Sequence, residues 1–159
     1  MTKDKIIIIG GGILTIVIIL GIFVLLSNNS SKSSGITDDQ IVVRNGLHWH
    51  PKLAVYISGK KQEFTESIGL GAVHQKMHTH AEDYKEGVVH MEIPGVVTKE
   101  DTKLGNFFRI WGKKFNSSQI FEFKNSSESA VKMLVNGKTN KDFENYQMHN
   151  GDKIEIRYE

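Results

Sequence analysis

The chain has 159 residues, with 20 Lys plus Arg against 18 Asp plus Glu, a net charge of +2, seven histidines and no cysteine. The near balance of charge, without a basic stripe or aromatic–basic interleaving, argues against nucleic acid as a partner. The lack of cysteine excludes disulfides, a thiol nucleophile and thiolate metal sites, so any exported part of the chain must be held by a core or by a metal.

Residues 1–5 are a short polar start that carries Lys3 and Lys5. Residues 6–26, "IIIIGGGILTIVIILGIFVLL", carry no charge, and Thr15 is their only polar side chain. A bilayer core needs roughly 20 apolar residues as a helix, so this stretch predicts a single transmembrane span. A cleavable signal peptide would have an apolar region of only about 7–15 residues and an A-x-A-like site after it. Neither feature is present, and lipoprotein processing would need a cysteine. Lys3 and Lys5 lie before the span and one lysine directly after it, so the positive-inside rule places the N-terminus in the cytoplasm and the rest outside. Asn28, Asn29, Asn116 and Asn125 each begin an N-x-Ser sequon on the expected outer side.

Residues 27–40 are polar and small at their start and read as a linker that lifts a domain off the membrane. The roughly 120 residues from 41 to 159 suffice for one domain. In "LAVYISGKKQEF", Leu53, Val55 and Ile57 alternate with Ala54, Tyr56 and Ser58, a strand whose turn at "SGKK" predicts a hairpin. "GVVHMEIPG" is a second strand. It places Val89, Met91 and Ile93 on one face and Val88, His90 and Glu92 on the other, and Pro94 and Gly95 end it. From residue 103 the period changes. Leu104, Phe107, Phe108, Trp111 and Phe115 fall on one face of an amphipathic helix, with Thr98 or Asp101 as candidate caps and Gly112 or Asn116 near its end. "QIFEF", "AVKMLVNGK" with an Asn-Gly turn and "NGDKIEIRYE" then return to strand patterning. The expected fold is α+β: a transmembrane helix, then one extracytoplasmic mixed domain of short antiparallel strands and one amphipathic helix. Its C-terminal half, 102–159, is β-grasp-like.

Six histidines fall between residues 48 and 90: His48, His50, His74, His78, His80 and His90. Residues i and i+2 of a strand share a face, so each H-x-H, "HWH" and "HTH", can offer two imidazoles to one ion. His90 shares its strand face with Glu92. Pro51 leaves the parity of the first strand open. Imidazole suits zinc, copper, iron and nickel, and clustering at this density favours a metal site over scattered polar residues. The candidate ligands are His48, His50, His78, His80 and His90, with His74, Asp83 and Glu92 as weaker ligands or as partners that orient the rings. Glu86 is also near in sequence. Met77 and Met91 keep copper(I) open as well as copper(II) and zinc. His149, beside "NGD", reads as a turn residue.

Other chemistry is thin. No G-x-S-x-G elbow occurs, "GGG" at 10–12 lies inside the expected span, and Glu86 is not at the cupin spacing from "HTH". The ordered set "HWHPKL", "MHTHAEDYKEGVVHMEIP" and "LGNFFRIWGKKF" resembles an uncharacterised family of small membrane-anchored or exported archaeal and bacterial proteins. The family's pattern is H-x-H-x-x-L, H-T-H, G-x-[IV]-H-x-E and L-G-x-F-F-x-x-W-G. The match covers about residues 46–115 and fits His48, His50, His78, His80, His90 and Glu92. In the family an Asp usually follows H-T-H directly. Here "AEDYKE" intervenes, so the resemblance implies Asp83 or Glu82 as the carboxylate partner. It implies a shared site and names no reaction.

Three functions follow as expectations. The first is a membrane-anchored extracytoplasmic protein that captures or delivers copper or zinc. The second is a zinc- or copper-dependent enzyme with a three-histidine site, which would also need a substrate cleft. The third is a non-metal interaction module or accessory subunit of a membrane complex.

Overall fold

A short 3-10 turn at Asp38–Gln40 is the first element in a computed structural model that describes residues 35–159. Strands β1 (Ile41–Val43), β2 (Leu47–Trp49) and β3 (Lys52–Ile57) follow. Ser58 and Gly59, both at positive φ, make a two-residue turn into β4 (Lys60–Gln62), the backbone that matches the twist of paired strands. After a long loop come β5 (Met77–His78), β6 (His90–Ile93) and β7 (Val97–Thr98), and then the helix α1 (Leu104–Trp111). A meander of β8 (Phe115–Asn116), β9 (Gln119–Ile120) and β10 (Phe123–Lys124) leads to β11 (Val131–Val135) and β12 (Lys138–Thr139), joined at Asn136–Gly137, and to the final β13 (Lys153–Tyr158). The unit Ile36–Glu159 is thus mostly β with one α-helix. The expected span over 6–26 and most of the linker lie outside the described residues. Among the described residues, no helix is long and apolar enough to cross a membrane.

The main sheet has five strands in the order β12-β11-β13-β3-β4. Its outer pairs are antiparallel and its central pair, β13 with β3, is parallel. The sheet therefore is not confined to 102–159, because β3 and β4 belong to it. Parallel pairing needs a crossover, and here most of the domain lies between the partners. The first hairpin and the last strand consequently show no local sign of belonging together.

Alternation sets the core. Leu53, Val55, Ile154, Ile156, Val131 and Met133 are buried on the inner face of the sheet, and Leu104, Phe107 and Phe108 of α1 join the same cluster. Burial of each such side chain is worth about 1.5–3 kcal/mol. Gly112, at φ 71, ends the helix by donating its N–H to the carbonyls of Phe108 and Arg109. Phe115 thus lies beyond the helix in β8, where it still stacks on Phe108 at 4.5 Å. The apolar period ran past the helix because the next strand feeds the same core. Neither Thr98 nor Asp101 caps α1: Lys103 holds the cap position, and Asp101 instead accepts from the amide and hydroxyl of Thr98. "QIFEF" is two short strands, since Phe121 takes a positive φ and turns the chain.

Candidate metal centre

The histidines are organised by a second sheet of three strands, β2-β6-β5, all antiparallel. Across β6 the register pairs His48 with Glu92, Trp49 with Met91, Met77 with Met91 and His78 with His90. Neighbours along a strand point to opposite faces. Met77 and Met91 therefore enter the core, at 1% and 0% exposure, and His78, His90, Glu92 and His48 share the other face. A bridge between Lys52 and Val88 keeps the same register past Pro51. That places His50 across from His90, and their rings are 4.7 Å apart. His80, two residues beyond His78, brings its ring within 4.8 Å of His78 and 4.4 Å of His90. Gly87, at φ 81, ends the turn that precedes this strand, and a side chain there would strike the Leu53 carbonyl. Only glycine lets the segment leading into β6 approach β3 so closely.

The result is a contiguous set of donors. His78, His80, His90 and Glu92 each offer one ligand atom, all within 4.8 Å of one another, and His48, His50 and His90 do the same. The His78 and His80 Nε2 atoms are 3.1 Å apart. Two nitrogens on one tetrahedral zinc, with bonds of about 2.0–2.1 Å, lie roughly 3.3 Å apart. These groups can hold a metal ion. Because the thioethers of Met77 and Met91 face the core, the donor set is imidazole and carboxylate, and copper(I) ligation by these methionines falls away.

Partners behind the rings fix which nitrogen is free. His78 Nδ1 lies 3.1 Å from the Gln75 carbonyl, which can only accept, so Nδ1 carries the proton and Nε2 keeps its lone pair. His90 Nε2 lies 2.9 Å from Asp83 Oδ2, so its lone pair is on Nδ1. Carboxylate and carbonyl acceptors behind ligand imidazoles are the usual support of a metal site. Asp83 Oδ1 is buried with no hydrogen-bond partner, a cost that a cation on His90 would relieve electrostatically. Asp83, not Glu82, is therefore the residue behind His90. Glu86 is turned to Lys52, at 2.7 Å, and stays out of the cluster. His74 Nε2 is 3.3 Å from both ring nitrogens of His78, at the edge of the set. If a metal binds here, Asp83→Asn should weaken it roughly 10–100-fold; chelator competition would measure this, and an unchanged affinity would dismiss Asp83 as a support.

His78 is fully buried. Its pKa is held below the ordinary 6.5, first by burial; the Gln75 carbonyl opposes this, and repulsion from His74 and His80 adds to it. His50 is lowered too, by burial and then by His90 and His48. The unfolded chain thus takes up these protons at a higher pH than the folded one. The stabilising effect is complete above pH 6.5 and is lost as pH falls from 6.5 through the lowered values. Thermal unfolding of the metal-free chain should have a level midpoint above about pH 7 and a falling one below it. A midpoint that rises on acidification would contradict neutral burial of His78.

His149 does not join the cluster. Its backbone N–H donates to Asp152, and its ring stacks 6.0 Å from Trp49. Next to it, Asn150 Oδ1 accepts the His50 backbone N–H at 2.9 Å. Asp152, nearly buried, also accepts from Asn136 and Tyr146 and so rigidifies this turn. Sequence reading saw "HNGD" as a turn and missed that it tethers "HWH", because 100 residues separate the partners. A cavity of about 760 Å³ between the loop at 67–73 and α1 is lined by Lys76, Met77 and Arg109 and contains no histidine. A shallower hollow of about 570 Å³ includes His48 and Glu92.

No protein-family model, curated protein or solved structure matches the chain.

Proposed function

We propose that the chain is a membrane-anchored metal-binding protein that displays its folded domain outside the membrane and takes up copper(II) or zinc, to capture or deliver the ion. The observation that carries this reading is the cross-strand pair His78–His90, joined by His80, with Gln75 and Asp83 holding the two paired rings so that a lone pair is free on each. Imidazole and carboxylate donors favour copper(II) over zinc in affinity and exclude neither. The apolar run at 6–26, with its flanking lysines, supports the anchor and the orientation. The order of the five-stranded sheet supports a β-grasp reading that takes in β3 and β4 as well as the C-terminal half.

Competition against a chelator of known affinity tests the binding. The full chain should hold copper(II) and zinc and disregard calcium and magnesium, which prefer oxygen ligands. Failure to hold either transition ion would remove the reading. Protease added to intact cells tests the placement, since only an outward-facing domain is cut. A zinc or copper enzyme is the second reading. It is favoured by Glu92, whose side chain is 42% exposed beside the histidines and so available as a base. Hydrolysis or hydration that appears only in the metal-loaded chain and vanishes with Glu92→Gln would select it.

A further inference from the structure

We propose that the histidine face holds two metal ions: one on His78, His80 and His90, and a second on His48 and His50, with the Glu92 carboxylate shared between them. The inference rests on the metal-binding reading above and adds its stoichiometry.

Three observations lead to it. First, the imidazoles outnumber the needs of one ion. A four-coordinate ion takes four donors, whereas His48, His50, His78, His80 and His90 form two overlapping groups, with Glu92 in one of them. Second, the overlap falls on His90, and His90 cannot serve both ions. Asp83 takes the proton on Nε2, so a single lone pair remains. The second ion then needs a third donor besides His48 and His50. Third, Glu92 stands where that donor is required. It belongs to the group around His78, and it is also the direct cross-strand partner of His48, with Oε1 3.2 Å from His48 Nε2. A carboxylate has two oxygens and can place one on each ion, which an imidazole with one free nitrogen cannot.

The surroundings suit this. Two cations that flank the face in sequence are already engaged, Lys52 with Glu86 and Lys76 with Asp101. The second group is also held in place from behind, by Asn150 on the His50 backbone and by the Trp49–His149 stack. A mere surface pair of histidines would not need a tether 100 residues away.

The test is a zinc titration of the full chain, produced without a polyhistidine tag and stripped of metal, with bound zinc counted by elemental analysis. The expected result is two zinc ions per chain, falling to one in His48→Ala/His50→Ala. One ion in both proteins would overturn the two-ion proposal and leave the metal-binding reading intact. No bound zinc or copper would overturn both. Two ions still bound in the double variant would also overturn the proposal, since the second ion would then lie elsewhere. Electron paramagnetic resonance of the copper(II)-loaded wild-type chain decides independently of how the variant folds. Spin-coupled copper is expected, and only isolated copper signals at full loading would overturn the shared carboxylate.

Discussion

Phe107→Ala should cost about 3–5 kcal/mol of folding stability, the range for truncating a buried aromatic. Phe107 has no exposed surface. Its ring lies 5.8 Å from Phe64, 6.2 Å from Phe108 and 6.1 Å from Trp111, so the cavity would be walled by other rings. Phe64 comes from a distant part of the chain and Phe108 and Trp111 from α1 itself, so the rings cannot collapse inward together without losing their own contacts. A domain of this size has about 5–15 kcal/mol in total, so this one change would remove a large share of it. The measurement is the urea midpoint at unchanged slope. A loss below about 1 kcal/mol would mean that α1 does not pack as described.

Metal should stabilise the fold by a comparable amount. An ion that binds only the native state adds about 2.7 kcal/mol when free metal is 100 times its dissociation constant, and about 4.1 kcal/mol at 1,000 times. The ligands come from β5, from the loop after it and from β6, and these approach one another only in the fold, so the unfolded chain offers no equal site. Zinc should therefore raise the unfolding midpoint of the wild-type chain, and a chelator should reverse the rise. His78→Ala/His80→Ala should sharply reduce it, since the ion on His78, His80 and His90 is lost. The increment on adding metal is the quantity to read, because His78 is fully buried and its removal also empties a space and leaves the Gln75 carbonyl without a donor. A double variant that gains as much from zinc as wild type would place the metal elsewhere.

The parts of this architecture visible in the sequence are those written locally. Period-two alternation marked β3, β6 and β13, and the Asn-Gly pair marked the turn between β11 and β12. The 3.6-residue stripe marked α1 up to Gly112. The histidine face was half visible. Parity put His90 with Glu92 and each H-x-H on one face, but parity alone cannot say which strands are neighbours. It took the pairing of β2 and β5 on either side of β6 to bring His48 to Glu92 and His78 to His90. The same pairing sends Met77 and Met91 into the core, which sequence proximity to histidine could not reveal. Asp83 was one of several nearby carboxylates. The turn Tyr84–Glu86, ending at Gly87 in the left-handed region, brings it back to His90 and leaves Glu86 outside. The bonds of Asn150 to His50 and of Asp152 to Asn136 carried no signal beyond a turn, because those partners are distant in sequence.

Metal content tests the central claim most directly. The full chain and its His78→Ala/His80→Ala variant, both without a polyhistidine tag, would be compared by elemental mass spectrometry as isolated and after exposure to copper or zinc. The account predicts at least one equivalent of copper or zinc in the wild-type chain and one equivalent fewer in the variant, which lacks two of the ligands around His90. Wild-type protein that stays metal-free after reconstitution with each ion would contradict it.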